Sequence, residues 1–600
     1  MSIKSVREET LQANLAEINR KRNIALSLPI VGAAIPFLPL PAAIAVAAAT
    51  AFWVLRLDEQ EARLRKPIVW DRSYSEGEIP DCDFVRATFL GKAMPWSEWK
   101  EQVDEVNNEQ GLATADAVRK TLIDVYPHMI PFLLSDDILT RHVAISAATG
   151  TGKSELILAI IQQQIRKGAG LILVEAKSDS DLSGAIYAMM EEAGRLDEFQ
   201  LINFEFPEVS HTYNPFYYGN ARATISTAMQ LQGKSSEEFW NDIARYSLTA
   251  AILAMKLQPG NPAFHIQDII AMLSDFEMLL DAIATIREAD SPDHRAGRIW
   301  LHSYLRYWRD EVNNRWNVGK YKELLGGLVS KLSAFAHSEY SHIVNTYSPD
   351  VDIKESILTN KVLVLSMSAL ADKDGVALFG RLFIADLMRA IGEIQLSKEK
   401  PLNICPAIFD EYPSFMDEGQ IELFKMARSA NVPIIIAFQG VGFLQNLSPA
   451  FVEMVLGNCW THIYADNRDA ETRKFAISLA GTMIKRFQSE TSGASSGLSY
   501  GSDQSGMLTN DSESQSHSSG YKATREDLLQ PEDFATLDQG DAIIVAKSGT
   551  YRARMPLVRN TFRTPHFSEM RLIKRPNRGR RGIHAWDRLY EKNKRLLTDG

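Results

Sequence analysis

Cysteine is scarce in this chain. Three occur in 600 residues, Cys82, Cys405 and Cys459, far apart and without the spacing of a metal knuckle or a disulfide framework. They read as small buried apolar residues in a reducing compartment. An excess of positive charge is missing too. A formal net charge of −10 excludes a protein that coats nucleic acid with its whole surface, although it leaves room for a local basic channel. No internal repeat is visible, which excludes a solenoid. No dinucleotide fingerprint, Ser-His-Asp arrangement or metal-ligand cluster stands out. His142 and His211 lie beside apolar runs without Cys or carboxylate partners at metal spacing, so both read as structural.

One stretch lacks charge of either sign. Residues 23–55 carry none, a run too long for a core helix, and it should enter a membrane. Arg20, Lys21 and Arg22 precede it, and Arg56, Arg63, Arg65 and Lys66 follow it. Positive charge at both ends places both in the cytoplasm. The expectation is a hairpin over 23–56 turning near Pro36, Pro39 and Pro41, behind a cytoplasmic segment 1–22. A single tilted, proline-broken span is the competing reading.

The most informative stretch is Thr149-Gly150-Thr151-Gly152-Lys153-Ser154. An apolar run, Val143-Ala144-Ile145, precedes it and an apolar helical segment follows, as a phosphate loop requires. Glycines turn the backbone amides toward the phosphates of ATP, Lys153 reaches the β- and γ-oxygens, and the Ser154 hydroxyl binds Mg²⁺. The pattern usually begins with glycine where this chain has Ala147, which is tolerable if φ stays negative there. Because the loop reads as a surface loop, replacing Lys153 is expected to leave folding intact. A second run, Ile404-Cys405-Pro406-Ala407-Ile408-Phe409, ends in Asp410-Glu411, the form of a buried strand presenting two carboxylates. Asp410 is expected to hold Mg²⁺ through water and Glu411 to polarise the attacking water. A third run, Pro433-Ile434-Ile435-Ile436-Ala437-Phe438, ends in Gln439, whose amide can sense the γ-phosphate.

Apolar runs alternate with helical stretches from about 140 to 216, the signature of βαβ units and a parallel sheet. Helical periodicity alone fills 217–345, so an all-α domain is expected inside an α/β domain whose parts are 57–216 and 346–558. Residues 489–520 are rich in Ser and Gly and should form a mobile loop. Residues 559–600 form a basic tail, either solvated or binding DNA or anionic lipid.

A membrane hairpin, a phosphate loop, an all-α insertion and a late Asp-Glu strand in this order resemble the type IV coupling proteins, the TraG/TraD-like ATPases of bacterial conjugation. Lys177 resembles the family's acid-x-Lys element, with Glu175 where Asp is usual. Tyr213-Asn214-Pro215-Phe216 resembles its turn into the all-α domain, and Arg428, in Ala427-Arg428-Ser429-Ala430-Asn431-Val432-Pro433, resembles its candidate arginine finger. Arg428 as a mere salt-bridge residue is the alternative. The resemblance implies a RecA-like nucleotide-binding domain in a hexameric ring at the cytoplasmic face of the inner membrane, docked on a type IV secretion channel. There it would bring a relaxase-bound single DNA strand, or a protein substrate, to the channel and drive it outward with ATP and Mg²⁺. A docking receptor for protein substrates, with ATP turnover only gating the channel, stays open. A septal chromosome translocase usually adds a C-terminal winged-helix module, which the basic tail does not resemble. The aromatics Trp300, Tyr304, Tyr307 and Trp308, interleaved with Arg, could stack on single-stranded DNA, but their helical spacing favours a core stripe.

Overall fold

In the central strands successive side chains point to opposite faces, so every second residue joins the same core. Val143, Ile145, Leu171, Leu173 and Ile435 pack into one hydrophobic cluster, and Ala144, Ile172, Val174, Phe409 and Ile436 into another. A strand buried on both faces must be apolar throughout, which is why these runs do not alternate with polar residues.

The computed structural model describes residues 86–110, 121, 129–231, 238–287, 291–310, 313–336, 340–501, 508–556, 558, 563–576 and 579–598. These belong to one compact unit, Ile79–Gly600. The hairpin expected over 23–56 lies outside the described residues, as does Cys82. Among the described residues no helix is long and apolar enough to cross a membrane.

The strands are β1 (Ala87–Pro95), β2 (Ile130–Ser135), β3 (Val143–Ser146), β4 (Leu171–Glu175), β5 (Phe199–Asn203), β6 (Val362–Ser366), β7 (Ala407–Phe409), β8 (Ile434–Phe438), β9 (Thr461–Tyr464), β10 (Thr482–Gly501), β11 (Leu508–Asp527), β12 (Asp541–Ala546) and β13 (Gly549–Arg554). One sheet of 11 strands has the order β2-β1-β13-β12-β9-β3-β8-β7-β4-β6-β5. From β9 to β5 all pairings are parallel, and from β9 to β2 all are antiparallel. The architecture is thus a mixed α/β fold with a large parallel centre. Strand β8 lies between β3 and β7, so the phosphate-loop strand and the carboxylate strand are next-nearest neighbours.

Helices Lys153–Arg166 and Ser180–Glu192 cover one face, and the long helix Lys373–Ser397 covers the other. The described residues between 217 and 345 contain helices and turns but no strand. The two connections to this region are tied together: Tyr213 N donates to Ile343 O at 3.1 Å, and Asn214 Nδ2 donates to Thr346 O at 2.7 Å. Tyr304 and Trp308 are buried and Tyr307 is 45% exposed, so the aromatic stripe is mainly core. Cys405 and Cys459 are buried and free, and burial pushes the Cys405 thiol up to about 12.

Two segments carry structure that composition does not signal. Within the span expected to be a mobile Ser/Gly-rich loop, the described residues 489–501 and 508–520 belong to β10 and β11, which pair as an antiparallel ribbon from Thr482↔Asp527 to Gly501↔Leu508. Backbone ladder bonds need no apolar side chains, so composition alone does not signal such a ribbon. The basic tail is not merely solvated. Its helix Ala585–Thr598 packs on helix Ile266–Ser274 through buried Ala585 and Leu589, with Lys592 Nζ 2.7 Å from Asp275 Oδ2 and 2.9 Å from Glu277 Oε2.

Candidate active site

Strand β3 delivers the chain into the loop 147–152. Gly150 and Gly152 have φ of 82° and 108°, a left-handed region that side chains resist. Ala147 keeps a negative φ, so its Cβ costs nothing there. The loop is tied to its neighbours: Ala147 N donates to Phe438 O at 3.1 Å, Ala148 N to Asp466 O at 3.2 Å, and Gly540 N to Thr151 O at 3.1 Å. Thr151 Oγ1 donates to Ala148 O at 2.8 Å, while Thr149 and Ser154 are exposed. The helix Lys153–Arg166 begins behind Gly152 with no side-chain cap, so its first amides have no side-chain acceptor and are suited to an anion.

Lys153 does not sit on the surface. Only 6% of its side chain is exposed, and its Nζ lies 2.8 Å from Asp410 Oδ1 and 2.7 Å from Glu411 Oε1. This corrects the expectation that replacing it would leave folding intact, because the ammonium balances two carboxylates in a shielded site. Asp410 N donates to Val174 O at 2.9 Å, fixing the turn after β7. Glu411 then adopts φ 53°, which costs a residue with a side chain about 1–2 kcal/mol, and its N–H donates to Asp410 Oδ1 at 3.0 Å.

Three donors converge on the Glu411 carboxylate. Besides Lys153, Lys177 Nζ lies 2.7 Å from Oε1, and Gln439 Nε2 lies 3.4 Å from each oxygen. Burial alone would raise the Glu411 pKa, but the charges and hydrogen bonds of Lys153 and Lys177 outweigh it and hold it at about 2. For Lys177, burial opposes the charge, yet Glu411 and Asp410 raise its pKa. Burial pushes Glu175 up to about 7, against the hydrogen bonds it accepts from the Ser366 hydroxyl and from Asp179 N and Lys177 N.

The loop, the Asp410-Glu411 pair and Gln439 therefore meet in one place, as their sequence context predicts. Arg428 stands apart, in the short turn Ala427–Ala430, about half exposed, with Asp137 Oδ1 3.8 Å away. Asn467 was not foreseen. Its Nδ2 donates to Ser146 Oγ at 2.8 Å and to Gln439 O at 2.5 Å, joining the ends of β3 and β8. A lone Asn after an apolar run carries no signal of that role. His142 is structural: Nε2 lies 2.7 Å from Phe424 O, Nδ1 accepts from Ile434 N at 3.0 Å, and burial lowers its pKa to about 4. His211 is likewise buried, and its Nδ1 accepts from Leu201 N at 3.1 Å.

Among the described residues no group of three His, Cys, Asp or Glu side chains could hold a metal ion by itself. Asp410 and Ser154 fit the partial set expected for Mg²⁺, which takes few protein ligands and completes its shell with phosphate and water. The uncapped helix start and the left-handed glycines fit a nucleotide's phosphates.

Residues 405–539 match the family model described as the TraM recognition site of TraD and TraG, and residues 129–179 match that of the central domain of helicase HerA. The type 4 coupling protein DotL of Legionella pneumophila is 25% identical over 520 residues, covering 78% of this chain and 62% of DotL. The chain thus spans about three fifths of that relative's length. Among solved structures, the bacterial conjugative coupling protein TrwB without its first 70 residues is 15% identical, with a TM-score of 0.46, over 82% of this chain and 99% of that one. TrwB in complex with ADP and Mg²⁺ is 15% identical, with a TM-score of 0.45, over the same shares.

Proposed function

We propose that this chain, which resembles the type IV coupling proteins, is an ATPase that couples ATP hydrolysis to substrate delivery at a type IV secretion channel. The observation that carries the reading is the convergence of Lys153, from the loop after β3, with Asp410 and Glu411, from the end of β7. Bound ATP and Mg²⁺ supply the scissile γ-phosphate and the cation that offsets its charge. Amides of Thr149, Gly150 and Gly152 and of the helix start would face the phosphates, whereas Thr151 N is turned to Ala148 O at 3.4 Å, and Lys153 would exchange its carboxylates for phosphate oxygens. Asp410 and Ser154 would hold the cation, Glu411 would polarise water, and Gln439 would sense the γ-phosphate. Arg428, exposed and only loosely paired, suits action on a neighbouring subunit.

On this reading the chain assembles as a hexameric ring at the cytoplasmic face of a bacterial inner membrane, held there by a hairpin over 23–56. Its partners are channel components and either a relaxase-bound DNA strand or protein substrates. Steady-state ATP hydrolysis tests the core of the proposal. Wild type should turn over, whereas Glu411→Gln should bind nucleotide but lose about 100-fold or more in rate, since an amide cannot act as the carboxylate does. Wild-type turnover in Glu411→Gln would refute the assignment. Stimulation by single-stranded DNA would favour a DNA translocase, and stimulation by protein substrate alone would favour a docking receptor.

A further inference from the structure

Lys177 is a cation of the site that belongs to neither the phosphate loop nor the carboxylate strand. It follows β4, and its Nζ lies 2.7 Å from Glu411 Oε1, the same oxygen that Lys153 reaches at 2.7 Å. The turn that carries it is held from several sides. Glu175, 1% exposed, accepts from Lys177 N at 3.2 Å, from Asp179 N at 3.1 Å and from the Ser366 hydroxyl. The turn is also stitched to the chain after β6, since Met367 N donates to Glu175 O at 3.1 Å and Ala369 N to Ala176 O at 3.0 Å. Lys177 itself bridges Ser368, and Asp179 caps helix Ser180–Glu192 by accepting from Asp181 N and Leu182 N. Ser178 is forced to φ 51°, a conformation that persists only where the surroundings over-determine it.

We infer that Lys177 is a positioning residue for hydrolysis: it keeps the ionised Glu411 in place when Lys153 turns to phosphate, and Glu175 fixes the turn that presents it. This inference rests on the site being an ATP-hydrolysing one. Lys153 cannot give its full charge to Glu411 and to a phosphate at once, so a base held only by Lys153 would lose its partner at the moment of reaction. Lys177, with 44% of its side chain exposed, sits on a different strand end from the loop and need not move with it. Glu175 contributes through backbone amides and a hydroxyl, which explains how Glu serves where Asp is usual: it reaches back to the amides of its own turn.

The test measures kcat and KM for ATP hydrolysis by the assembled full-length protein. Lys177→Gln should lower kcat about tenfold or more while changing KM less than about threefold, because it acts on a step after binding. Lys177→Arg should recover much of the loss, since a cation still reaches Glu411. In a Glu411→Gln background, Lys177→Gln should cause no further loss in single-turnover rate, because the two act as a unit. A raised KM with unchanged kcat would make Lys177 a phosphate ligand and overturn the inference, as would losses that add in the double variant. A wild-type protein that does not hydrolyse ATP would instead overturn the reading beneath it, a result distinguishable from failure of the Lys177 variants alone.

Discussion

Replacing Lys153 with Met should destabilise the fold as well as abolish hydrolysis. The side chains of Lys153, Asp410 and Glu411 are 6%, 3% and 14% exposed, and the ammonium lies within 2.8 Å of both carboxylates. Removing one member of a buried ion pair typically costs about 3–5 kcal/mol, because the remaining charge stays shielded from water. Glu411 would keep Lys177 at 2.7 Å, so the stranded charge is mainly Asp410, whose Oδ1 retains the Glu411 N–H at 3.0 Å. The expected loss is therefore near the lower bound, about 3 kcal/mol. Urea denaturation at neutral pH would read it. Adding Asp410→Asn should return at least about half of the loss, since the second substitution removes the unpaired partner. Equal stability of Lys153→Met and wild type at neutral pH would refute the argument and return Lys153 to a surface loop.

Arg428→Ala should leave ATP affinity unchanged but lower hydrolysis by about 10³- to 10⁵-fold in assembled rings, the range for an arginine acting in trans; mixing with Glu411→Gln subunits should restore activity, and no recovery in rings shown to be mixed would leave Arg428 as the partner of Asp137. His142 and His462 both have pKa values lowered to about 4, chiefly by burial, so the unfolded chain binds more protons between about pH 4 and 6.5. Stability should be full above that window and fall by up to about 3 kcal/mol per histidine as pH drops through it, and a flat profile of urea midpoints would contradict this. Gly152→Ala should cost about 1–3 kcal/mol and weaken nucleotide binding, since φ is 108° and its Cβ would meet Met555 Cε at 3.4 Å; isothermal titration with ADP would check it.

Much of the site was legible because its parts are local. The phosphate loop, the Asp410-Glu411 pair and Gln439 each sit at the end of an apolar run, and a parallel sheet brings such ends to one edge. The sequence pattern does not reveal which side chains share a partner. Lys153 looked like a surface lysine because the two carboxylates that bury it lie more than 250 residues away, at 410 and 411. Asn467 and Gly540 touch the ends of the site by the same kind of distant pairing. The ribbon of β10 and β11 was missed because its backbone pairing needs no hydrophobic pattern. The tail helix was missed because the surface on which Ala585 and Leu589 are buried, and the Asp275 and Glu277 that Lys592 meets, lie in a different region of the chain.

The geometry also orders the steps of the proposed reaction. A carboxylate held at a pKa of about 2 is a weak base, because the two lysines that stabilise its charge also reduce its pull on a proton. On the proposed reading, Glu411 becomes the stronger base when one of them withdraws. Lys153 is the one that a phosphate would draw off, since it begins the helix whose first amides lack a side-chain cap and suit the same anion. Lys177 belongs to a different turn, anchored through Glu175 to β4 and β6, with Asp179 as a further carboxylate beside it. Nucleotide binding and activation of the base are then one event seen from two sides of Lys153. Gln439 touches the same carboxylate, and its carbonyl is held by Asn467, so the amide at the end of β8 meets the exchange directly. A site arranged in this way resists attack on water before the phosphates arrive, because the cation that recruits them is the one that keeps the base quiet.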